Sequence, residues 1–253
     1  MNVAVYDPPE PTASAETAPS DRVVDRTPSE VASDLSGRGI DLVAPEAADL
    51  LLTVGLDGLR AAVIADEQRP LFPIGIDAEW SPAATDVDGL ADTVSQLADE
   101  TASSLPTTAH RPLELSVADT TATAVCDCTL LTTQPARISE YAVEIDGLQR
   151  AEFRADGVVA ATPLGSWGYA RAAGGPRLAP DTGVAVVPIA PFAMQADNVV
   201  ATPPLSLSVE RDTEVTVFAD DRRVVAGGSE LTVDLSVGSP VSIVEGQWAL
   251  DRQ

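Results

Sequence analysis

The chain contains no lysine, so each of its 15 basic residues is an arginine. This absence excludes chemistry that depends on a lysine amine, such as Schiff bases, pyridoxal phosphate anchoring and a lysine-held nucleotide phosphate. Histidine occurs once, at His110, in a stretch between Pro106 and Pro112. A Ser-His-Asp or Cys-His catalytic arrangement is therefore not expected, and we predict that His110 is an exposed linker residue.

Cysteine and long apolar runs are also scarce. Cys126 and Cys128 are separated by one residue on a predicted strand, so they point to the same face and cannot form a disulfide framework. A tetrahedral metal site would need further Cys or His ligands. No apolar run approaches the ~18 residues of a membrane span, and residues 1–11 do not resemble a signal peptide. We therefore expect a soluble, cytoplasmic protein with no membrane partner.

Acidic residues, in contrast, are abundant. They number 39 and give the chain a formal net charge of -24. Such a chain repels itself at low ionic strength, whereas molar salt shortens the Debye length to about 3 Å and screens the repulsion. The acidic excess thus indicates a salt-rich cytoplasm. An acidic surface for a basic partner is the alternative, but the charge is spread along the whole chain. Nucleic acid is not an expected partner, because no basic cluster is present.

Residues 1–105 alternate predicted strands with predicted helices, which is typical of a small α/β domain with a parallel sheet. Residues 7–25 show no apolar period and are predicted to form a mobile loop. Next, Thr27 and Glu30 predict a capping box at the start of a helix. The proline-containing stretch 103–112 is the predicted domain boundary.

Residues 113–245 contain many short predicted strands, which indicate a larger β-sandwich domain. Two of these predictions are long single strands, at 122–131 and 153–161. The last strand of the sandwich is predicted at 241–244. Residues 246–253 could return to the first domain.

A strand, a glycine-containing turn and a helix are predicted in succession at 49–54, 55–59 and 60–67. This arrangement points backbone N–H groups and a helix N-terminus at an anion, commonly a phosphate. The segment lacks the GxGxxG spacing and the lysine of a P-loop. An ordinary βα turn, in which Asp57 stabilises the helix dipole, therefore remains the alternative.

A second candidate site lies within residues 151–191. The strand Gly157–Ala161 is predicted to be buried and to break into a turn at 162–165. Loops held on rigid strands often carry binding groups, although an ordinary hairpin and loop would have the same composition. Polar and aromatic residues surround this turn: Asp156, Thr162, Ser166, Trp167 and Tyr169. With lysine absent and histidine isolated, the remaining candidate chemistry is that of carboxylates, at Asp57, Asp127 and Asp156.

Several segments, in order, resemble the ATP-dependent NAD kinases. DLLLTVGLDGLRAA (49–62) resembles the strand, GGDGT turn and helix of that family. DGVVAATPLGSWGYARAAGGP (156–176) resembles its second signature, with a TPTGSTAY-like run and AGGP. VVPIAPF (186–192) looks like its TPICPH segment, and AVCDCTL (124–130) sits where the family places an Asn-Glu pair.

The resemblance implies an NAD kinase fold and transfer of the γ-phosphate of ATP, or of polyphosphate, to the 2′-hydroxyl of the NAD adenosine ribose. It implies Mg²⁺ as a cofactor, ATP and NAD as substrates, and a homo-oligomer, since family members are usually dimers or tetramers. Asp57 would be the catalytic base. No metal ligand is assigned. The nucleotide- or phosphate-binding residues would be Gly55, Gly58, Asp127, Asp156, Thr162, Gly165, Ser166, Trp167 and Tyr169.

This chain departs from the family pattern at Leu56, Leu59, Cys126, Leu164 and Trp167. A site that loses a hydroxyl or an amide can lose about 1–3 kcal/mol for each group left unpaired. Two hypotheses follow. The protein is an active kinase that uses Asp57 as base, or it is a non-catalytic relative that binds a nucleotide or a partner subunit as a regulator. Aromatic stacking at Trp167 could replace some of the lost hydrogen bonds.

Overall fold

The structure is a computed structural model that describes residues 1–8, 26–76, 87–134, 137–193, 196–211 and 213–244. Within these residues, the chain up to His110 and from Pro240 onward forms one compact unit, and Arg111–Ser239 forms a second. Most of the predicted loop at 7–25 lies outside the described residues, as does the segment 246–253.

The described residues form seventeen strands and four α-helices. The helices are α1 (Pro28–Gly37), α2 (Gly55–Ile64), α3 (Val87–Asp99) and α4 (Tyr169–Ala172). The strands are β1 (Val3–Val5), β2 (Leu50–Val54), β3 (Leu71–Ile74), β4 (Thr107–His110), β5 (Leu113–Val117), β6 (Thr120–Ala124), β7 (Asp127–Thr132), β8 (Ser139–Ile145), β9 (Leu148–Ala155), β10 (Gly157–Ala161), β11 (Val184–Ile189), β12 (Val199–Ala201), β13 (Leu205–Val209), β14 (Val215–Ala219), β15 (Arg222–Gly228), β16 (Thr232–Val237) and β17 (Val241–Val244). None of these helices is both long and apolar enough to cross a membrane.

The first unit is an α/β layer around a five-stranded sheet of order β1-β2-β3-β17-β4. The first four strands run parallel, and β4 pairs antiparallel with β17. Strand β2 is buried along its whole length, as expected for a parallel strand covered on both faces. The predicted capping box at the start of α1 is confirmed, because the Thr27 side chain accepts from the Glu30 N–H and Glu30 accepts from the Thr27 N–H. The predicted α/β layer is thus confirmed.

Two predictions about the edges of this unit are wrong. His110 is not an exposed linker residue, because it lies in β4, is 9% exposed and pairs with Val241. Strand β17 is not part of the sandwich, because it pairs with β3 and β4 in the first sheet. Both errors have one cause. The stretch predicted as a linker contains β4, and β4 pairs antiparallel with β17 at the edge of the first sheet.

The second unit is a β-sandwich, as predicted. One six-stranded sheet has the order β12-β11-β10-β7-β14-β15, and the other has the order β6-β5-β16-β13-β8-β9. Their facing side chains form one continuous apolar core, to which Leu130 and Val158 contribute from the first of these sheets and Leu115 and Leu207 from the second. Alternating strands such as β13 bury every second residue, which is the period of a sheet with one covered face.

Strand β10 lies inside its sheet, with β7 and β11 as neighbours. It is buried on both faces, because Val158 faces the sandwich core while Val159 and Ala161 pack with Ala170 of α4 in a separate apolar cluster. This double cover explains why the sequence of β10 is apolar throughout, and it agrees with the buried strand predicted at 157–161.

The two long strands predicted at 122–131 and 153–161 are each two strands. At 125–126 the chain passes from β6 in one sheet to β7 in the other, and at Asp156 it passes from β9 to β10 in the same way. The sequence does not reveal such a change of sheet, because strand-forming residues lie on both sides of it and the partners of each strand are distant in the sequence. As a result, Asp127 and Asp156 both lie where the chain enters the same sheet.

Candidate functional site

In the first unit, the candidate site is the N-terminal turn of α2. The sequence predicts a separate turn at 55–59, but α2 begins at Gly55, directly after β2. Gly55 has φ of 65°, a conformation that glycine adopts at little cost. It therefore turns the chain within one residue. Val54 provides no side-chain cap, so the first N–H groups of α2 lack the intrahelical partners that later ones have.

Asp57 stands in this first turn, and its side chain is 57% exposed. Its Oδ1 accepts a hydrogen bond of 3.0 Å from a guanidinium nitrogen of Arg60, whose side chain is 2% exposed. A buried cation thus orients an exposed carboxylate. The sequence prediction missed Arg60, although an acid and a base three residues apart on a helix are a recognisable pair.

The two leucines of this segment occupy different environments. Leu59, which stands where the family has threonine, is completely buried. Leu56 is half-buried. The change at position 59 therefore affects the interior of the unit and not its accessible surface.

In the second unit, the candidate site is built on the turn that follows β10. The Thr162 hydroxyl lies 2.8 Å from the Val125 carbonyl and 3.0 Å from that of Cys126, so its single proton is shared between them. The same oxygen accepts from the Gly165 N–H at 3.2 Å. Thr162 is 2% exposed. Its role in this structure is to join the turn to the end of β6.

Gly165 is needed because two backbone segments meet there. A Cβ at this position would lie 2.0 Å from the Cys126 carbonyl oxygen and 2.5 Å from its carbon. Ser166 is completely buried. Its hydroxyl donates to the Pro163 carbonyl at 2.7 Å and accepts from the Leu178 N–H at 2.9 Å. These two predicted binding residues thus shape the turn from inside.

The segment Val125–Cys126–Asp127, called the 125–127 segment below, is held from its other side by Asp220. The Asp220 carboxylate accepts from the N–H groups of Val125 at 3.1 Å, Cys126 at 2.7 Å and Asp127 at 3.1 Å. The Asp220 N–H donates to the Asp127 carbonyl at 2.7 Å. The sequence prediction missed Asp220 because it is 93 residues away from Asp127, and no local pattern reports a contact over that distance.

Asp127 is 8% exposed, and its Oδ1 accepts from the Thr129 hydroxyl at 2.7 Å. It pairs with Ala161, next to the Thr162 turn. Burial, together with the charges of Asp127 and Asp220, raises the pKa of the Cys128 thiol well above its usual value. Cys128 is therefore an inert thiol of the core.

Tyr169 lies near two of the predicted carboxylates and is 44% exposed. Burial, with smaller contributions from the charges of Asp127 and Asp156, raises the pKa of its hydroxyl. The phenol thus keeps its proton at neutral pH. Asp156 is half-buried, and its backbone N–H donates to the Ile189 carbonyl at 3.0 Å. Asp127 and Asp156 thus both lie close enough to Tyr169 for their charges to act on its hydroxyl.

Trp167 is half-buried, and the Arg177 guanidinium carbon lies 3.9 Å from the centre of its ring. This cation–π contact covers one face of the indole. Leu164, the other departure in this turn, is 5% exposed and packs inward. Base stacking on Trp167 is thus restricted to the face that Arg177 does not cover.

Magnesium was expected from the resemblance. Among the described residues, no group of three or more His, Cys, Asp or Glu side chains could hold a metal ion. Mg²⁺ in phosphotransfer enzymes is commonly held by substrate phosphates and only one or two carboxylates. The exposed Asp57 carboxylate at a helix N-terminus fits that type of binding, in which the ion arrives with the nucleotide.

Comparison with known proteins gives a match to the model of the ATP-NAD kinase C-terminal domain over residues 126–248. The chain is 30% identical to the NAD kinase of Methanopyrus kandleri over 188 residues, which cover 72% of this chain and 65% of that protein. It is 31% identical to the NAD kinase of Methanocorpusculum labreanum, over 66% of this chain and 61% of that protein. The aligned part of the chain thus spans less than two thirds of either relative.

Two solved structures share the fold. The NAD kinase of Archaeoglobus fulgidus in complex with ATP has a TM-score of 0.63 at 20% identity, covering 98% of this chain and 95% of that one. Yeast NADH kinase in complex with NADH has a TM-score of 0.65 at 19% identity, covering 82% and 66%. Residues 126–248 therefore belong to the ATP-NAD kinase C-terminal domain family, and the chain is similar to archaeal NAD kinases in sequence and in fold.

Proposed function

We propose that the protein is an NAD kinase, which transfers the terminal phosphate of ATP to the 2′-hydroxyl of the adenosine ribose of NAD. The archaeal relatives carry the name NAD kinase, and the two solved neighbours are described in complex with NADH and with ATP. The observation that carries the proposal is the Asp57 carboxylate, which is 57% exposed and held by Arg60 at the start of α2. In the sequence resemblance, Asp57 corresponds to the aspartate of the GGDGT turn.

In the proposed reaction, the ribose 2′-hydroxyl gives its proton to the Asp57 carboxylate, and its oxygen forms a bond to the terminal phosphorus of ATP. The bond from that phosphorus to the oxygen bridging to the β-phosphate breaks, and ADP leaves. The N–H groups of the first turn of α2, from Gly55 to Gly58, supply donors and a partial positive charge for phosphate oxygens. When bound with the nucleotide, Mg²⁺ supplies further neutralisation of phosphate charge, with Asp57 as an available ligand.

The second unit is proposed to bind the dinucleotide. Carboxylates accept hydrogen bonds from ribose hydroxyls, and a protonated phenol donates one. Asp127 and Asp156 supply the carboxylates, and Tyr169 supplies the phenol. Thr162, Gly165 and Ser166 act through the backbone, because their side chains or their lack of one set the shape of the turn. Trp167 contributes through its exposed part, beside Arg177.

Three finer expectations belong to the same proposal. Polyphosphate is the alternative donor. The working environment is a salt-rich cytoplasm, which the net charge of -24 and the absence of lysine support. The active form is a homo-oligomer, a dimer or a tetramer, which sedimentation in molar salt would measure directly.

The test is an assay of NADP formation by the purified protein in molar KCl with Mg²⁺ and NAD, with ATP or polyphosphate as donor. Wild type should form NADP, and Asp57→Asn should lose activity by at least about 100-fold, the contribution of a positioned general base. Asp41→Asn is the matched control, because Asp41 is an exposed aspartate of the same unit. It should keep wild-type activity.

Equal background rates for wild type and Asp57→Asn would overturn the kinase proposal. Calorimetry with NAD, NADP and ATP would then distinguish the alternatives. Heat of binding with any of them would favour a non-catalytic relative that binds nucleotides. The positions of Leu59 and Leu164, both buried, do not favour that alternative, since neither side chain faces a ligand from the surface.

A further inference from the structure

The 125–127 segment has an unusual set of backbone partners. Its three N–H groups all donate to the carboxylate of Asp220. Of its three carbonyls, those of Val125 and Cys126 accept from Thr162, and that of Asp127 accepts from the Asp220 N–H. Two residues thus satisfy every backbone polar group of the segment that positions the Asp127 side chain.

The two oxygens of Asp220 divide this work. Oδ1 accepts from both Cys126 and Asp127, and Oδ2 accepts from Val125. Hydrogen bonds from N–H groups to a carboxylate are stronger than neutral ones. Because both oxygens already accept backbone donors, Asp220 is suited to holding the segment rather than to contacting a substrate.

The place of Asp220 in the fold suits this role. It lies at the turn between β14 and β15, with a left-handed backbone (φ of 55°), and β14 is the antiparallel neighbour of β7. The hairpin therefore brings the carboxylate to the point where the chain enters β7. On the opposite side of that strand, Thr162 follows β10. The segment is held between the two neighbours of β7.

We propose that Asp220 is a positioning residue for NAD binding: it fixes the 125–127 segment and thereby the direction of the Asp127 carboxylate. This inference rests on the proposed function only in the assignment of NAD to Asp127. It predicts that changes at Asp220 weaken NAD binding only as long as Asp127 is present to be positioned.

Asp220→Asn is the informative variant, because it keeps the shape of the side chain. An asparagine has one accepting oxygen, so its amide N–H₂ must face at least one backbone donor of the segment. Asp146→Asn is the matched control. Asp146 is an exposed aspartate at the turn between β8 and β9, and it has the same left-handed backbone, with φ of 54°.

The experiment is a double-mutant cycle on the full chain, with the dissociation constant of NAD measured by calorimetry in molar KCl. Asp220→Asn should raise this constant about tenfold in the wild-type background, and less than about twofold in the Asp127→Asn background. Asp146→Asn should change it in neither. Amide hydrogen exchange of a peptide covering 124–129 should be faster in Asp220→Asn and unchanged in Asp146→Asn.

The possible outcomes separate the positioning role of Asp220 from the proposed catalysis. An equal loss of affinity in both backgrounds would make Asp220 a purely structural residue and overturn the inference. Unchanged exchange at 124–129, or unchanged affinity, would overturn it as well. Wild type that binds NAD but forms no NADP would overturn the proposed catalysis while leaving this inference to be decided by the cycle. Wild type that does not bind NAD would overturn both.

Discussion

Asp57 and Asp127 are held in opposite ways. Asp57 stands on the first turn of a helix, is 57% exposed, and is oriented by the side chain of a buried arginine. Asp127 is 8% exposed, and its segment is fixed through the backbone by Thr162 and Asp220. In the first unit, a side-chain contact thus orients the carboxylate. In the second unit, hydrogen bonds to the backbone fix the segment that carries it.

This difference explains how the sequence could depart from the family at several positions and keep the fold. In the second unit, the 125–127 segment is bound through N–H and carbonyl groups, which do not depend on the side chain at Cys126. In the first unit, Leu59 is buried and adds to the apolar interior. The departures at Cys126 and Leu59 therefore lie where the backbone, or the interior, tolerates a different side chain.

The largest expected effect tests the backbone contact in the second unit. Gly165→Ala would place a Cβ 2.0 Å from the Cys126 carbonyl oxygen, so one backbone segment must move. We expect a loss of about 3 kcal/mol in the free energy of unfolding of this unit, measured by urea denaturation, and a loss of NAD binding. A stable Gly165→Ala protein that binds NAD normally would mean that the two segments are not held in contact.

An intermediate effect is expected at Arg60 in the first unit. Arg60→Gln removes the charged donor that holds Asp57, and charge-assisted hydrogen bonds of this kind are the stronger class. We expect kcat to fall about tenfold, with no change in KM for NAD. Arg60→Lys keeps the charge but loses the planar guanidinium, and its kcat should lie between those of the wild type and Arg60→Gln. Wild-type kcat in Arg60→Gln would show that the exposed carboxylate needs no orientation.

The smallest expected effect is at Gly58, the counterpart of Gly165 in the first unit. A Cβ at Gly58 would lie 3.5 Å from its nearest neighbour, the Thr53 carbonyl carbon, which is ordinary contact. Because alanine has a higher helix propensity than glycine, Gly58→Ala should raise the free energy of unfolding by about 0.5–1 kcal/mol. Urea denaturation of Gly58→Ala, Gly165→Ala and the wild type measures the two changes in the free energy of unfolding side by side. Destabilisation by Gly58→Ala would remove the contrast between the two units.

Local signals in the sequence were sufficient for several elements. Thr27 and Glu30 predicted the start of α1, because a capping box needs residues only three apart. The buried segment of β10 could be predicted because a strand covered on both faces is apolar at every position, although the predicted strand at 153–161 also included the end of β9. The α/β and β-sandwich units follow from the same periodicities.

The features that were missed depend on contacts between distant residues. Asp220 holds a segment more than 90 residues away, and nothing in the sequence around either end reports the contact. His110 and β17 are more than 100 residues apart, and their pairing decides where the first unit ends. The changes of sheet at 125–126 and at Asp156 are hidden for a related reason, since the sheet that a strand joins depends on partners that are distant in the sequence.

The position of β17 has a consequence for the synthesis of the protein. Strand β4 ends at His110, but its partner in the sheet begins at Val241, and β3 shares that partner. While the ribosome makes residues 111–239, β3 and β4 lack a strand to join them, and chains are made at about 5–20 residues per second. The first unit to leave the ribosome is therefore the last to complete its sheet, and for several seconds an open strand edge must be kept from pairing with the wrong partner.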